Sequence, residues 1–203
     1  GTVMLPKVSR MTRMKQMDAV KRHIRLSMEL VMCMVCAMAF GLAAVAVNFA
    51  PLFYGDDFAY SGTLMMPLAF TLLSIGFANV IRTQWVLPQG RDTIFVHSVL
   101  TGAVINLIAN FVLIPPFGAM GAAAATVLAE FSVPAVQFVY LRKELPYAQY
   151  LKTTGVYCLF GLVMAGAVAL LGHVLPLHGW GKLAVQVIGG AAVVFALLAA
   201  VLF

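Results

Sequence analysis

The stretch from Asn106 to Arg142 constrains the fold of this chain more than any other part of the sequence. It holds two apolar runs separated by residues 115–118, Pro-Pro-Phe-Gly, a pattern that ends one helix and turns the chain before the next. Lys and Arg are absent between Arg91 and Arg142, yet a carboxylate, Glu130, lies within the second apolar run. The pattern predicts a helical hairpin in a membrane, with polar groups placed inside it.

The composition supports a membrane protein. Charged residues make up 10% of the 203 residues and hydrophobic residues 63%, whereas a soluble domain carries about 25% charged residues. We therefore expect an all-α, polytopic transmembrane helical bundle in contact with membrane lipid. The net charge of +6 reflects membrane topology and does not predict binding to nucleic acid. Because residue 1 is Gly and the chain ends in an apolar run, we expect a piece of a longer protein.

The hydrophobic runs predict six transmembrane helices. Their expected ranges are about 26–52, 60–87, 93–114, 119–141, 153–175 and from 183 onward. Pro67 lies inside the second range and predicts a kink there. The chain then divides into a basic amphipathic cytoplasmic segment at 1–25, four transmembrane helices over 26–141, and a cytoplasmic loop with an additional helix pair over 142–203.

Lys and Arg lie almost entirely on one side of this predicted topology. The N-terminal segment holds seven, the loop after the second helix two (with Arg82 counted there), and the loop after the fourth helix three. The opposite loops hold Lys182 alone. The positive-inside rule therefore places the N-terminal segment in the cytoplasm, and the loops at 53–59, 115–118 and 176–182 are predicted to face outward.

Polar side chains inside the predicted helices are the candidates for a transport path. They are Thr71, Ser74, Asn79 and Arg82 on the second helix, and Asn106 and Asn110 on the third. One interpretation is that they form interhelical hydrogen bonds that hold the bundle together. The other is that they line a water-filled path for a polar substrate. Arg82 has a third interpretation, because its long side chain could reach the cytoplasmic interface.

Glu130 is the intramembrane carboxylate of the predicted hairpin. Pro134, four residues later, lacks the amide that would bond the carbonyl of Glu130, so a local kink is expected. Either Glu130 is a coupling site for a proton or a sodium ion, or it is protonated and acts as a static polar clamp between helices. No other cofactor is predicted.

The sequence predicts neither an enzyme nor a metal protein. No Ser/His/Asp set, metal-ligand cluster or phosphate-binding loop is visible. Cys33 and Cys36 form a C-x-x-C pair, but it lies in an apolar helix without a second pair or a nearby His. Small, packed hydrophobic side chains explain this pair adequately.

Several short motifs occur in order between residue 3 and about residue 145. They are Leu5-Pro6-Lys7 with Ser9, Phe53-Tyr54-Gly55 with Asp57-Phe58, Asn79 with Gln84, Leu87-Pro88 with Gly90-Arg91-Asp92, and Thr126 with Glu130. Together with the predicted hairpin, this series resembles the Wzx-type oligosaccharide flippases of the multidrug/oligosaccharidyl-lipid/polysaccharide (MOP) exporter superfamily. The last two predicted helices carry no such motif.

The resemblance implies a fold and a function. The chain would form the last four helices of the C-terminal lobe of a MOP or MATE-like exporter plus an extra helix pair, and its partner would be a missing N-terminal lobe. Such proteins move undecaprenyl-diphosphate-linked oligosaccharide to the outer leaflet of the bacterial cytoplasmic membrane by alternating access. The products are cell-surface polysaccharides such as the O-antigen of lipopolysaccharide. Arg82 is the basic residue here that could hold the phosphate or sugar of that cargo.

Three alternatives stay open on the sequence. An ion-coupled multidrug antiporter of the same superfamily would need further acidic cavity residues, and Glu130 is the one available. A membrane glycosyltransferase or polymerase would need outward-facing carboxylates, for which Asp56 and Asp57 are the candidates. The third alternative is a membrane scaffold without transport activity.

Overall fold

The computed structural model describes Arg10, Met14 and residues 17–174 and 179–202, and its regular structure over these residues is helical. Five segments in this part of the chain are long and apolar enough to cross a membrane: Met17–Tyr54, Asp56–Gln89, Asp92–Leu141, Tyr147–Val174 and Gly179–Ala200. The predicted all-α transmembrane bundle is thus confirmed. Most of the predicted basic segment before residue 17, and residues 175–178 of a predicted outer loop, lie outside the described residues.

Helix α1, Met17–Tyr54, is the helix against which most of the others pack. Its core face is a stripe of buried side chains, most of them four residues apart, which is a spacing that places side chains on one face of a helix. The stripe consists of Val20, Ile24, Met28, Met32, Cys36, Phe40, Ala46 and Ala50. Side chains on the other face, such as Leu30 and Met34, are exposed.

The start of α1 differs from the predicted one. The helix begins at Met17, inside the segment predicted at 1–25, and not near residue 26. Val20 and Ile24 are 1% and 0% exposed and belong to the same buried cluster as Tyr147 and Tyr150. Residues 17–25 therefore extend α1, and the side chains of Val20 and Ile24 in this segment are covered by protein.

Two shorter helices follow a single 3₁₀ turn at Asp56–Phe58: α2, Ala59–Ala69, and α3, Thr71–Ile81. They are separated at Phe70, three residues after Pro67, so the second transmembrane segment is interrupted close to the proline at which a kink is predicted. The segment then continues as a π-helical turn, Arg82–Val86, and a 3₁₀ turn, Leu87–Gln89. α2 lies close to α1, because a Cβ atom at Gly62 would be 2.7 Å from the carbonyl oxygen of Ala46.

Helix α4, Asp92–Leu141, contains one non-helical residue, Gly118, with φ 55° and ψ −132°. The two halves of α4 fold back on each other there, because a Cβ atom at Gly121 would lie only 2.0 Å from the carbonyl oxygen of Leu113. Further from the turn, Nδ1 of His97 lies 3.1 Å from the hydroxyl of Tyr140. The predicted hairpin is therefore present, with its turn at the predicted position.

Helices α5, Tyr147–Val174, and α6, Gly179–Leu202, pack on α1 and on each other. Gln186 of α6 joins the three helices, because its amide donates to the carbonyl of Val168 at 3.3 Å and its oxygen accepts from Asn48 at 3.3 Å. α5 begins six residues before the predicted start at 153, and α6 begins four residues before the predicted start at 183.

Glu144 connects two segments at the predicted cytoplasmic end through hydrogen bonds. Its Oε2 accepts from Nη1 of Arg91 at 2.6 Å and from Nε1 of Trp85 at 3.0 Å, and Nζ of Lys21 lies 6.0 Å from the centre of the Trp85 ring. Burial alone would raise the pKa of the Glu144 carboxyl, but the bonds from Arg91 and Trp85 and the charges of Arg91 and Lys21 lower this pKa below its usual value.

Candidate functional site

A cavity of about 600 Å³ lies between α3 and the two halves of α4. We call it the polar cavity, because six of its lining side chains are polar: Asn79, Arg82, Asn106, Thr126, Glu130 and Gln137. Small and aliphatic residues such as Gly102, Ala129 and Val133 complete the lining. Lipid tails cannot solvate such groups, so the polar cavity is suited to water or to a polar ligand.

Arg82 lies at the first position of the π-helical turn and borders the polar cavity. Its Nη2 donates to Oδ1 of Asn79 at 2.8 Å, and its guanidinium carbon lies 4.8 Å from the centre of the Phe95 ring. Its Nε is buried and has no partner among the described residues. These contacts hold the guanidinium beside the cavity. π-Helical turns of this kind occur frequently at functional sites.

Glu130 borders the same cavity from the second half of α4. Its backbone carbonyl, which Pro134 leaves without an amide donor, accepts a hydrogen bond from the hydroxyl of Ser74. The ion pairs found among the described residues are Arg25–Glu29 and Arg91–Glu144. The carboxylate of Glu130 and the guanidinium of Arg82 therefore face one cavity without forming an ion pair.

The two predicted asparagines differ in their position. Nδ2 of Asn110 donates to Oδ1 of Asn106 at 2.9 Å, as expected for side chains four residues apart on one helix. Asn106 borders the polar cavity, whereas Asn110 borders a different, apolar depression with Phe111. Asn110 therefore orients Asn106 and is not itself a cavity residue.

The structure thus brings together four of the seven predicted site residues, Asn79, Arg82, Asn106 and Glu130. The other two predicted residues of the second transmembrane segment, Thr71 and Ser74, have structural roles. Thr71 donates to the carbonyl of Leu68 at 2.7 Å, beside the break at Phe70, and Ser74 is 2% exposed with its hydroxyl bonded to Glu130. Thr71 and Ser74 therefore do not border the polar cavity with Arg82.

Two polar residues of the cavity were not predicted as site residues, Thr126 and Gln137. Gln137 is 1% exposed, and its Oε1 has no hydrogen-bond partner among the described residues. A signal for it exists in the sequence, because Gln137 follows Glu130 by seven residues, which is two helical turns and the same face. The hydroxyl of Thr126 donates to the carbonyl of Ala122 at 3.0 Å, within its own helix.

A second cavity, of about 420 Å³, separates the second half of α4 from α1, α3 and α5. Its lining is almost entirely apolar and includes Met32, Phe77, Phe131, Phe138 and Leu151. We call it the apolar cavity. Such a lining is compatible with a hydrocarbon chain and offers nothing to a charged head group.

The comparisons with known proteins agree with this architecture. The family model described as "Lipid II flippase MurJ" matches residues 1–188. A solved structure described as "Lipid II flippase MurJ, inward closed conformation" is similar to the chain with a TM-score of 0.78 over 96% of its residues, at 17% sequence identity. The chain spans 41% of the length of that solved protein. No curated protein sequence matches the chain.

Proposed function

We propose that this chain, which belongs to the lipid II flippase MurJ family, is part of a transporter that moves a lipid-linked precursor across the membrane. The family is one of flippases within the MOP superfamily, so the predicted superfamily and the prediction of a non-enzyme are supported, while the narrower Wzx-type assignment is not. The proposed location is the bacterial cytoplasmic membrane, in which the chain is a multi-pass protein.

The observation that carries the proposal is the polar cavity inside an otherwise apolar bundle. Burying Arg82, Glu130 and Gln137 in a membrane is unfavourable unless a polar ligand, water or another protein segment contacts them. The apolar cavity adds a surface for hydrocarbon on the other side of the second half of α4. A lipid-linked precursor has both a polar head group and a hydrocarbon chain, and the two cavities match these two parts.

The proposed arrangement has six membrane crossings and a second lobe. The two halves of α4 would each cross the membrane, which adds one crossing to the five segments of sufficient length and hydropathy. Asp92–Leu141 is also the segment with the smallest buried share, with Phe111 74% exposed and Leu107 59% exposed. We propose that the missing N-terminal lobe covers this face and closes the polar cavity, and that alternating access opens it to either side.

Within the polar cavity we propose different roles for its two charged residues. Arg82 contacts the head group, because its side chain borders the cavity and its guanidinium is held there by Asn79 and Phe95. Glu130 is the coupling site for a proton or a sodium ion, because its carboxylate borders the cavity and its backbone is opened by Pro134.

The cargo we propose is the lipid II named in the family description. The motif series between residues 3 and 145 favours a second candidate, an undecaprenyl-diphosphate-linked oligosaccharide for a surface polysaccharide such as O-antigen. Both cargoes are lipid-linked head groups and would use the same cavity. They differ in the polymer that the cell makes from them.

Depletion and complementation can separate the two cargoes. The native protein that contains this chain is expressed in one bacterium depleted of its lipid II flippase and in another that lacks its O-antigen flippase. Rescue of growth in the first strain supports lipid II, and restored surface O-antigen in the second supports the oligosaccharide. Rescue of neither strain by protein that reaches the membrane at the normal level would contradict the proposed function.

A further inference from the structure

We propose that Glu144 is a positioning residue for transport, which holds Arg82 in place at the polar cavity without bordering the cavity itself. The inference rests on the proposed function, because the role of Glu144 is exerted through Arg82. Glu144 lies in the loop between α4 and α5, outside the lining of the polar cavity. Two separate routes of contacts lead from its carboxylate to Arg82.

The first route runs through Trp85 and the backbone of the π-helical turn. Oε2 of Glu144 accepts a hydrogen bond from Nε1 of Trp85 at 3.0 Å. Trp85 is buried and lies in this turn, three residues after Arg82. The amide of Leu87 donates to the carbonyl of Arg82 and closes the turn. A buried ring that is fixed within the turn therefore fixes the backbone from which the Arg82 side chain extends.

The second route runs through Arg91 and the first turn of α4. The same oxygen, Oε2, accepts from Nη1 of Arg91 at 2.6 Å. Arg91 directly precedes α4, and its carbonyl accepts from the amide of Ile94 at 3.0 Å. Phe95 follows in the next position, and its ring centre lies 4.8 Å from the guanidinium carbon of Arg82. One carboxylate oxygen therefore holds both the backbone of Arg82 and the helix whose ring packs on its guanidinium.

The backbone of Glu144 is itself held in place. Its amide donates to the carbonyl of Leu141 at 2.9 Å, and the amide of Leu145 donates to the same carbonyl at 3.1 Å. Leu141 and Leu145 are buried and belong to the hydrophobic cluster that also contains Trp85. The carboxylate therefore extends from a backbone anchored in the core, as a group that supports a functional side chain must do.

The guanidinium needs this support because its two contacts lie on different helices. Asn79, which accepts from Nη2, is on α3, whereas Phe95 is on α4. An arginine side chain has many rotamers, and ordering it on binding is entropically unfavourable. Glu144 connects the π-helical continuation of α3 with the start of α4, so it sets the relative position of these two helices. Arg82 is thereby ordered before a ligand arrives.

The test is a double-mutant cycle in the full-length native protein. The readout is the rate at which precursor becomes accessible to an impermeant reagent outside the cell, divided by the amount of folded protein in the membrane. Glu144→Gln removes the charge, keeps an acceptor oxygen, and should lower this rate by about two- to fivefold. Arg82→Lys keeps the charge but lacks the planar guanidinium. In that background Glu144→Gln should change the rate by less than about 1.5-fold, because no guanidinium is left to position.

Glu29→Gln is the matched control. Glu29 forms the other ion pair among the described residues, with Arg25 at 3.1 Å, and its side chain is 34% exposed against 35% for Glu144. Glu29 does not border the polar cavity, so Glu29→Gln should leave the rate within about 1.5-fold in both backgrounds. Arg91→Gln covers the case in which Glu144→Gln does not fold. It removes the second route alone and should lower the rate only where Arg82 is present.

The outcomes separate this inference from the proposed function. If Glu144→Gln lowers the rate by the same factor in both backgrounds, Glu144 does not act through Arg82, and the inference is overturned. An unchanged rate in the wild-type background overturns it as well. In both cases a lipid-precursor transporter is still supported. If folded wild-type protein moves no precursor, the inference and the proposed function are both contradicted.

Discussion

Replacing Ser74 by Ala should show how the second half of α4 is held in place. Ser74 is 2% exposed, and its hydroxyl donates to the carbonyl of Glu130, the group that Pro134 leaves without a helical partner. An unsatisfied buried carbonyl is unfavourable by about 1–3 kcal/mol, but interhelical hydrogen bonds in membranes average about 0.6 kcal/mol and reach about 1.7. We therefore expect Ser74→Ala to reduce the free energy of unfolding by about 1 kcal/mol.

A double-mutant cycle tests this cause directly. Pro134→Ala restores an amide that can donate to the carbonyl of Glu130, so Ser74→Ala should be less destabilising in that background, by about 0.6–1 kcal/mol. The assay is unfolding in mixed micelles, followed by circular dichroism. Ser98→Ala is the matched control, because Ser98 is 0% exposed and its hydroxyl donates at 2.8 Å within its own helix, to Phe95. Equal effects of Ser74→Ala in both backgrounds would refute the reasoning.

Three further predictions concern the membrane topology, the contacts of Glu144 and the coupling of transport to a proton or a sodium ion. Single cysteines at 53–59 should react with impermeant thiol reagents from outside and those at 88–92 should not; the reverse pattern would invert the charge-based topology. Because the pKa of Glu144 is lowered in the folded protein, its stabilising effect is present above the unfolded pKa and lost as the pH falls through the folded one. Glu144→Gln should therefore lower the melting temperature at pH 7, by the equivalent of about 0.2–1 kcal/mol, and have little effect at pH 3. An equal loss of stability at both pH values would show that the charge of Glu144 does not stabilise the fold. Glu130→Gln should abolish the dependence of transport on pH or sodium, and an unchanged dependence would leave Glu130 as a static clamp.

Much of the architecture follows from the sequence because the hydrophobic effect and backbone chemistry act locally. Residues 115–118 predict the hairpin turn, since proline lacks the amide donor and Gly118 can adopt a positive φ. Pro67 likewise predicts the break observed at Phe70. These features depend on a few neighbouring residues, so no tertiary partner is needed to predict them.

The start of α1 could not be predicted in the same way. The alternation of basic residues with Val20 and Ile24 indicates an apolar helical face, but it does not indicate what covers that face. The cover belongs to a buried cluster with Tyr147 and Tyr150, more than 120 residues later in the chain. A helical face that is covered by lipid and one that is covered by a distant helix have the same local sequence pattern.

The candidate site shows the same limit. Helical spacing groups Thr71 and Ser74 with Arg82, but the break at Phe70 and the contact with α4 give Ser74 a structural role at Glu130. Gln137 could have been found from its seven-residue spacing to Glu130. Its unpaired oxygen could not, because hydrogen-bond satisfaction depends on residues from other helices.

The measurement that tests the central claim most directly is the leaflet position of the lipid-linked precursor. The native protein and its Arg82→Ala variant are produced in cells depleted of their own flippase, and the precursor is treated from outside with an impermeant reagent. The account predicts that precursor becomes accessible with wild type and much less so with Arg82→Ala at equal protein level. Precursor that stays inaccessible with folded wild-type protein in the membrane would contradict the account.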